Sequence, residues 1–141
     1  QVLASERDVR VKRLAAKVDR VLVDAPCTGL GTLRRNPDLK WRQPESAVAE
    51  LNAKQASILA SAATLVKPGG RLVYATCSVL PDENEAIVAQ FLAAHPQFIA
   101  GNAAAELARA EIALDTGPTL KLLPHLHGCD GFFAAVLERS R

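Results

Sequence analysis

Two cysteines end two short apolar segments, and their type and placement make them the residues best suited to chemistry. Cys27 ends the segment 21–27, and Cys77 ends the segment 71–77. A thiolate can add to an electron-poor ring carbon and later leave it, while a second thiol nearby takes the proton that is lost in between. We interpret the pair as a candidate site of nucleophilic catalysis, with Asp24 as a carboxylate beside it.

Both apolar segments have the pattern of buried strands in a parallel sheet. The cysteines are 50 residues apart (77 − 27), and the intervening sequence contains a helical pattern, so one crossover can place the strands side by side. Open α/β sheets bind their ligands at the carboxyl ends of strands. Both thiols are therefore expected at one edge of the sheet.

Each of these residues also has a structural interpretation. A cysteine that ends an apolar strand is more often part of the core than catalytic, and Cys129 is expected to be an inert loop or core thiol. Asp24 is a residue type that caps turns. The residues alone do not decide which of the two strand-end cysteines attacks a substrate.

The remaining pattern predicts an α/β fold with crossover helices. A charged stretch over residues 6–17 is expected to form a short helix. A long helix is predicted to begin at Pro44 and to be stopped by residues 67–70. Its inward residues follow helical spacing: Ala47, Leu51, Ile58, Leu59, Ala62, Leu65 and Val66.

An acidic cluster of Asp82, Glu83 and Glu85 is expected at the start of the next helix, where negative charge favours the positive end of the helix dipole. That helix is predicted to bury Ile87, Val88, Phe91 and Leu92 and to end at His95 and Pro96.

The last third of the chain is predicted to contain a short helix and two strands. The helix is expected within residues 103–114. The segments 120–123 and 132–137 are predicted to form an antiparallel pair that closes the sheet.

A basic loop, residues 33–42, follows the first cysteine. Basic side chains bind phosphates, and an aromatic ring can stack on a splayed base, as in recognition of single-stranded RNA. For Trp41 we favour anchoring to the core over base stacking. The cations, set against Asp38 as a lone acid, favour RNA: Arg34, Arg35, Lys40 and Arg42.

Four segments resemble motifs of the Sun family of RNA cytosine-5 methyltransferases. Its two cysteine motifs are similar to DAPCTGLG (residues 24–31) and YATCSVLPDENE (residues 74–85). Its bacterial members that act on small-subunit ribosomal RNA have a basic loop similar to LRRNPDLKWR (residues 33–42). The family's closing segment resembles DGFF (residues 130–133).

The resemblance implies the C-terminal part of a Rossmann-like class I methyltransferase fold, S-adenosylmethionine as cofactor and 16S ribosomal RNA as substrate. It implies that Cys77 attacks carbon 6 of a cytosine and that Cys27 assists loss of the carbon-5 proton and release of the adduct. Asp24 would position cofactor or base. DNA cytosine methyltransferases instead use a pair like Pro26-Cys27 as nucleophile, which would invert these roles.

Composition excludes several other classes of protein. The 141 residues are 49% hydrophobic and 23% charged, which suits one globular unit, and the net charge is only +2. No apolar run could span a bilayer, and no basic-then-apolar leader is present. Three cysteines without a short-spaced pair indicate a reducing cytosol. We expect a cytoplasmic protein with no membrane association and no metal.

The sequence has no Met and no glycine before Gly29, so a glycine-rich cofactor loop is missing. We expect a fragment that carries the catalytic half of one methyltransferase domain and is inactive alone. Ser5, Glu6 and Asp8 are unassigned candidates for a cofactor-binding acid. Two alternatives are a non-catalytic RNA-binding module and a generic nucleotide-binding domain, but the latter predicts a phosphate fingerprint that the sequence lacks.

Overall fold

The structure is a computed structural model that describes residues 9–42, 44, 46–114 and 116–141, without the side chain of Arg10. Ser5, Glu6 and Asp8 lie outside these residues, as does the start of the helix predicted over residues 6–17. The elements are α1 (Val9–Lys12), β1 (Val18–Asp24), α2 (Leu39–Arg42), α3 (Ser46–Ala63), β2 (Val66–Thr76), α4 (Glu85–Ala94), β3 (Phe98–Ala100), α5 (Ala103–Arg109), β4 (Leu120–Leu122), α6 (Pro124–His127) and β5 (Phe132–Arg139), with 3-10 turns at Leu30–Thr32 and Pro81–Glu83.

A five-stranded mixed sheet forms the centre of the fold, in the order β1-β2-β5-β3, with β4 also paired to β5. The predicted parallel pair is confirmed, because β1 and β2 align Val21 with Leu72 and Asp24 with Ala75. The predicted antiparallel pair of β4 and β5 is confirmed as well. The sequence did not predict β3 or the position of β5 between β2 and β3.

Alternate residues of β1, β2 and β5 face α3 and α4 and form the core with them. Hydrophobic burial of this face holds the crossover helices on the sheet. The predicted inward face of α4 is confirmed, since Ile87, Val88 and Phe91 are buried and Leu92 packs against them. The helix predicted within residues 103–114 is also confirmed, although α5 covers only the first part of that range, Ala103–Arg109.

The predicted bounds of α3 are wrong at its carboxyl end. The helix ends at Ala63, and residues 67–70 lie within β2, where the register to β1 shifts. Gly69 has φ +74° and Gly70 has no room for a Cβ beside the Lys67 carbonyl, so glycine permits this irregular strand start. Ile58 was expected inside but is 38% exposed, whereas Gln55 is buried.

The acidic cluster divides between solvent and interior. Asp82 is exposed, and Glu85 forms an ion pair with Lys121 at 2.7 Å. Glu83 instead points inward from the 3-10 turn and is completely buried. The prediction that Glu83 lies at the start of α4 and favours its dipole is therefore wrong. Glu83 accepts hydrogen bonds from buried protein groups in place of water.

Candidate active site

Cys27 and Cys77 meet beyond the carboxyl ends of β1 and β2, the arrangement predicted from the sequence. Their Sγ atoms are 3.4 Å apart, within range of an S–H···S hydrogen bond in which either sulfur can donate. Both residues are half-buried. The adjacent parallel strands thus bring two thiols, 50 residues apart in the chain, to one point on the sheet edge.

The surroundings of Cys27 disfavour its ionisation. Burial raises the pKa of Cys27 to about 12, and the hydrogen bond with Cys77 contributes further to this shift. A thiol with this pKa keeps its proton at neutral pH, and the protonated form is a poor nucleophile. The protonated thiol is therefore the favoured form of Cys27 at neutral pH.

Two glycines allow three chain segments to pack around the thiols. Gly31 donates its N–H to the carbonyl of Cys77 at 2.9 Å, and Gly131 donates to the carbonyl of Gly31 at 2.7 Å. A Cβ on Gly31 would lie 2.2 Å from the Gly131 oxygen and 2.6 Å from the Cys77 oxygen. Only glycine fits this contact, which joins the DGFF segment to both cysteine motifs.

Asp24 lies at the last position of β1 with an exposed side chain. Among the residues that the structure describes, its carboxylate has no hydrogen-bond or ion-pair partner. The turn-capping alternative is therefore not supported, because a cap would accept a nearby backbone N–H. The carboxylate is available to a ligand with polar donors.

The basic loop is exposed but contains more ion pairs than the sequence indicated. Arg35 contacts Asp130 at 2.5 Å, with Arg34 3.7 Å from the same carboxylate, while Arg42 pairs with Asp38 at 2.5 Å. The hydrogen bond from Arg35 holds the pKa of Asp130 below its usual range. Asp38 is therefore not the lone acid near these cations.

Trp41 does not anchor the basic loop to the core, so the favoured sequence interpretation is wrong. The side chain is 80% exposed, and α2 is a single turn in which no residue is buried. Lys40 places its Nζ 4.6 Å from the centre of the indole ring. The ring and its neighbouring cations thus form a surface with the chemistry of a base-stacking site.

Sequence reasoning missed a buried polar cluster behind the thiols. These side chains are at most 2% exposed: Thr28, Gln55, Ser78, Glu83 and Asn84. Two of them directly follow the cysteines, and that adjacency was the available signal. Polar residues next to reactive groups inside apolar surroundings commonly form the supporting hydrogen bonds of a site.

Other candidate features are simpler. Cys129 is half-buried and donates its S–H to the Asp130 carbonyl. Across the described ranges, no three His, Cys, Asp or Glu side chains gather as metal ligands would. In that same part of the chain, no helix combines the length and the apolar character needed to cross a membrane.

Comparisons with known proteins agree with this architecture. A 44% identical relative from Synechocystis sp. is named "Probable ribosomal RNA small subunit methyltransferase B"; the match covers 92% of this chain and 29% of that protein. The crystal structure of PH0851 is 41% identical with a TM-score of 0.79, over 89% of this chain and 27% of the other. NSun6 from Pyrococcus horikoshii with SFG, 24% identical, shares the fold with a TM-score of 0.76 over 99% of this chain and 34% of the other.

The chain thus spans about three-tenths of the length of that relative. The family model described as "16S rRNA methyltransferase RsmB/F" matches residues 2–138, which is nearly all of the sequence. The chain belongs to the 16S rRNA methyltransferase RsmB/F family.

Proposed function

We propose that the complete protein methylates carbon 5 of a cytosine in 16S ribosomal RNA, with S-adenosylmethionine as methyl donor. The observation that carries this proposal is the pair of thiols 3.4 Å apart at the ends of adjacent parallel strands. The family description and the name of the Synechocystis relative support ribosomal RNA as the substrate. Part of the proposal is that residues 1–141 alone are inactive, because they carry no glycine-rich loop before Gly29.

Two thiols suit this reaction because cytosine carbon 5 is a weak nucleophile until the conjugation of the ring is broken. The Cys77 thiolate forms a bond to carbon 6, and the displaced electron pair makes carbon 5 reactive. After carbon 5 has been methylated, a base takes its proton and the C–H electron pair restores the ring double bond. The bond from carbon 6 to sulfur then breaks and returns the Cys77 thiolate. Cys27, after losing its thiol proton to solvent, is the base in this proposal, and its high pKa makes its thiolate a strong one.

The raised pKa of Cys27 supports this division of roles. A thiol that keeps its proton at neutral pH is a poor nucleophile, and we therefore assign the attack to Cys77. The 3.4 Å contact lets Cys27 exchange a proton with groups at the reacting centre while Cys77 is bound to the base.

Asp24 fits a role in holding cofactor or base. Its exposed carboxylate at the end of β1 is an acceptor without a partner among the described residues, and it lies three positions before Cys27. S-adenosylmethionine, when bound, supplies an electrophilic methyl group. Asp24 would contribute an acceptor for amino or hydroxyl donors near the site.

The basic loop supplies the RNA contacts in this proposal. Arg34, Arg35 and Arg42 have side chains that are 56%, 64% and 75% exposed, so phosphates can reach them. Lys40 and Trp41 add a cation over an exposed ring. The target base must leave its stack to reach the thiols, and a nearby aromatic surface can hold a neighbouring base.

Single cysteine variants of the complete gene product test the mechanism, with RNA and S-adenosylmethionine present. Cys77→Ala should abolish formation of 5-methylcytidine, because no covalent bond to the base can form. Cys27→Ala should attack and methylate but stall, leaving a protein–RNA adduct on denaturing electrophoresis. Cys129→Ala is the matched control and should behave as wild type.

The outcomes separate this proposal from its alternatives. An adduct in Cys77→Ala but not in Cys27→Ala would show that the cysteine roles are inverted. RNA binding by the wild-type protein, with neither adduct nor methyl transfer, would instead favour a non-catalytic RNA-binding module.

A further inference from the structure

Glu83 is a buried acid with no positively charged partner among the described residues. It is the last residue of the 3-10 turn Pro81–Glu83, and its side chain is 0% exposed. Burying a carboxylate is costly unless its oxygens receive hydrogen bonds. The contacts that offset this cost therefore indicate what the residue holds in place.

Those contacts come from both sides of the thiol pair. One carboxylate oxygen accepts the backbone N–H of Thr28 at 2.8 Å and the side-chain amide of Gln55 at 3.1 Å. The other accepts the hydroxyl groups of Thr28 at 2.6 Å and Ser78 at 2.5 Å. Thr28 follows Cys27 in the chain, and Ser78 follows Cys77.

The remaining members of the buried polar cluster each support one side. Asn84 donates to the Ser78 carbonyl at 3.0 Å and accepts from the Thr76 hydroxyl, so it holds only the segment around Cys77. Gln55 donates to the Pro26 carbonyl at 2.9 Å, on the side of Cys27. Within the described part of the chain, Glu83 is the side chain outside both thiol loops (residues 26–29 and 77–80) that hydrogen-bonds to both.

The turn itself is held firmly. Tyr74, inside β2, donates its hydroxyl to the Glu83 carbonyl at 2.6 Å. Both groups are buried, and a buried polar pair of this kind has a defined geometry because neither partner can exchange it for water. The backbone of Glu83 is thus fixed to β2, and its carboxylate contacts the two thiol loops from the buried side.

We propose that Glu83 is a positioning residue that sets the separation of the Cys27 and Cys77 thiols by binding the residue after each of them. An acid suits this position because donors surround it on both oxygens. The geometric part of the proposal stands on these contacts alone, whereas its consequence for catalysis rests on the proposed function.

Cross-linking of the two thiols tests the geometry without any methyl transfer. A short bifunctional alkylating reagent is added to the complete gene product, and the Cys27–Cys77 linked peptide is quantified over time by mass spectrometry. Glu83→Ala should slow this cross-link about tenfold while alkylation of Cys129 is unchanged. Asp82→Ala, an exposed acid in the same turn, is the matched control and should react as wild type.

Methyl transfer then measures the consequence. A misplacement of about 1 Å costs on the order of a hundredfold in rate, so Glu83→Ala should lower kcat by about that factor with little change in KM for RNA. Glu83→Gln should recover most of both readouts. The amide oxygen of the new side chain can still accept from the Thr28 N–H and the Gln55 amide. Its NH₂ group can donate to the Thr28 and Ser78 hydroxyls once these hydroxyls rotate to accept.

Milder variants keep the test decisive where Glu83→Ala fails to fold. Thr28→Val and Ser78→Ala each remove one hydroxyl donor, and each should slow the cross-link. An unchanged cross-linking rate in a folded Glu83→Ala protein, or in both milder variants, overturns the proposal. A slowed cross-link in a protein whose wild type does not methylate RNA would support the positioning role and count against the proposed function alone.

Discussion

The buried polar cluster and the basic loop both contain charged and polar side chains, but the cluster is closed to solvent and the loop is open to it. In the cluster, the Glu83 carboxylate is 0% exposed and receives four hydrogen bonds from fixed donors. In the loop, Arg35 and Arg42 form ion pairs while their own side chains remain more than half exposed. Buried polar contacts define a geometry, whereas exposed ion pairs contribute little stability and exchange easily for a ligand. A fixed geometry at the thiols and an exposed set of cations thus belong to different regions of the molecule.

The largest expected effect is the loss of stability caused by a substitution that disrupts the packing around the thiols. Gly31→Ala should destabilise the protein by about 3 kcal/mol, because its new methyl group would meet two carbonyl oxygens that belong to backbone and cannot move aside. Urea denaturation of the complete gene product measures the loss. Gly117→Ala is the control, since a Cβ there has no neighbour within 4 Å, and the control should change stability by less than about 0.5 kcal/mol. Equal stability of the two variants would refute the tight packing.

The second effect is a loss of RNA affinity when the exposed ring of the basic loop is removed. Trp41→Ala should weaken RNA binding about tenfold, in the range measured for loss of one stacked base, and should leave the urea midpoint unchanged. Trp41→Phe keeps a ring and should recover most of the affinity. Fluorescence anisotropy with labelled RNA gives the affinities. A destabilised protein with normal RNA affinity would restore the core-anchoring interpretation.

The smallest effect is a change in the salt dependence of RNA binding, which tests whether the cations of the basic loop exchange carboxylates for phosphates. Asp130→Asn removes the carboxylate that Arg34 and Arg35 share, so the salt dependence of RNA binding should steepen by about one unit of slope. Asp38→Asn, which frees Arg42, is the comparison variant. Identical salt slopes in wild type and Asp130→Asn would show that Asp130 does not compete with RNA for these arginines.

The pH dependence of this pair has a defined sign. The pKa of Asp130 is lowered by its hydrogen bond with Arg35. Its contribution to stability is therefore complete above the unfolded-state pKa of an aspartate and is lost as pH falls through the lower folded value. At neutral pH the ion pair is intact, so measurements there report its competition with RNA.

Sequence patterns predicted the parts of the fold that depend on local periodicity. The apolar segments before Cys27 and Cys77 gave two parallel strands, and the spacing of Ile87, Val88 and Phe91 gave the buried face of α4. The meeting of the thiols followed because parallel neighbours place their carboxyl ends together.

The features that the sequence did not predict depend on partners far away in the chain. Glu83 is bound by Thr28, 55 residues before it, and no local pattern reports such a donor. The Asp130 ion pair reaches Arg35 across 95 residues. Trp41 was assigned to the core by residue type alone, since aromatic burial is the usual outcome and only the tertiary position of α2 reverses it.

The place of β5 has a consequence for how the molecule is made. This strand is the last of those described, yet it lies between β2 and β3, and its leading segment brings Gly131 against Gly31, 100 residues earlier (131 − 31). Contacts of such long sequence separation form late, because a large loop must close before they contribute. During synthesis the sheet therefore lacks an interior strand until Phe132–Arg139 has emerged. A chain cut before residue 131 would lose the middle of its sheet and not merely an edge, and the contact of Gly131 with Gly31 beside the two thiols could not form.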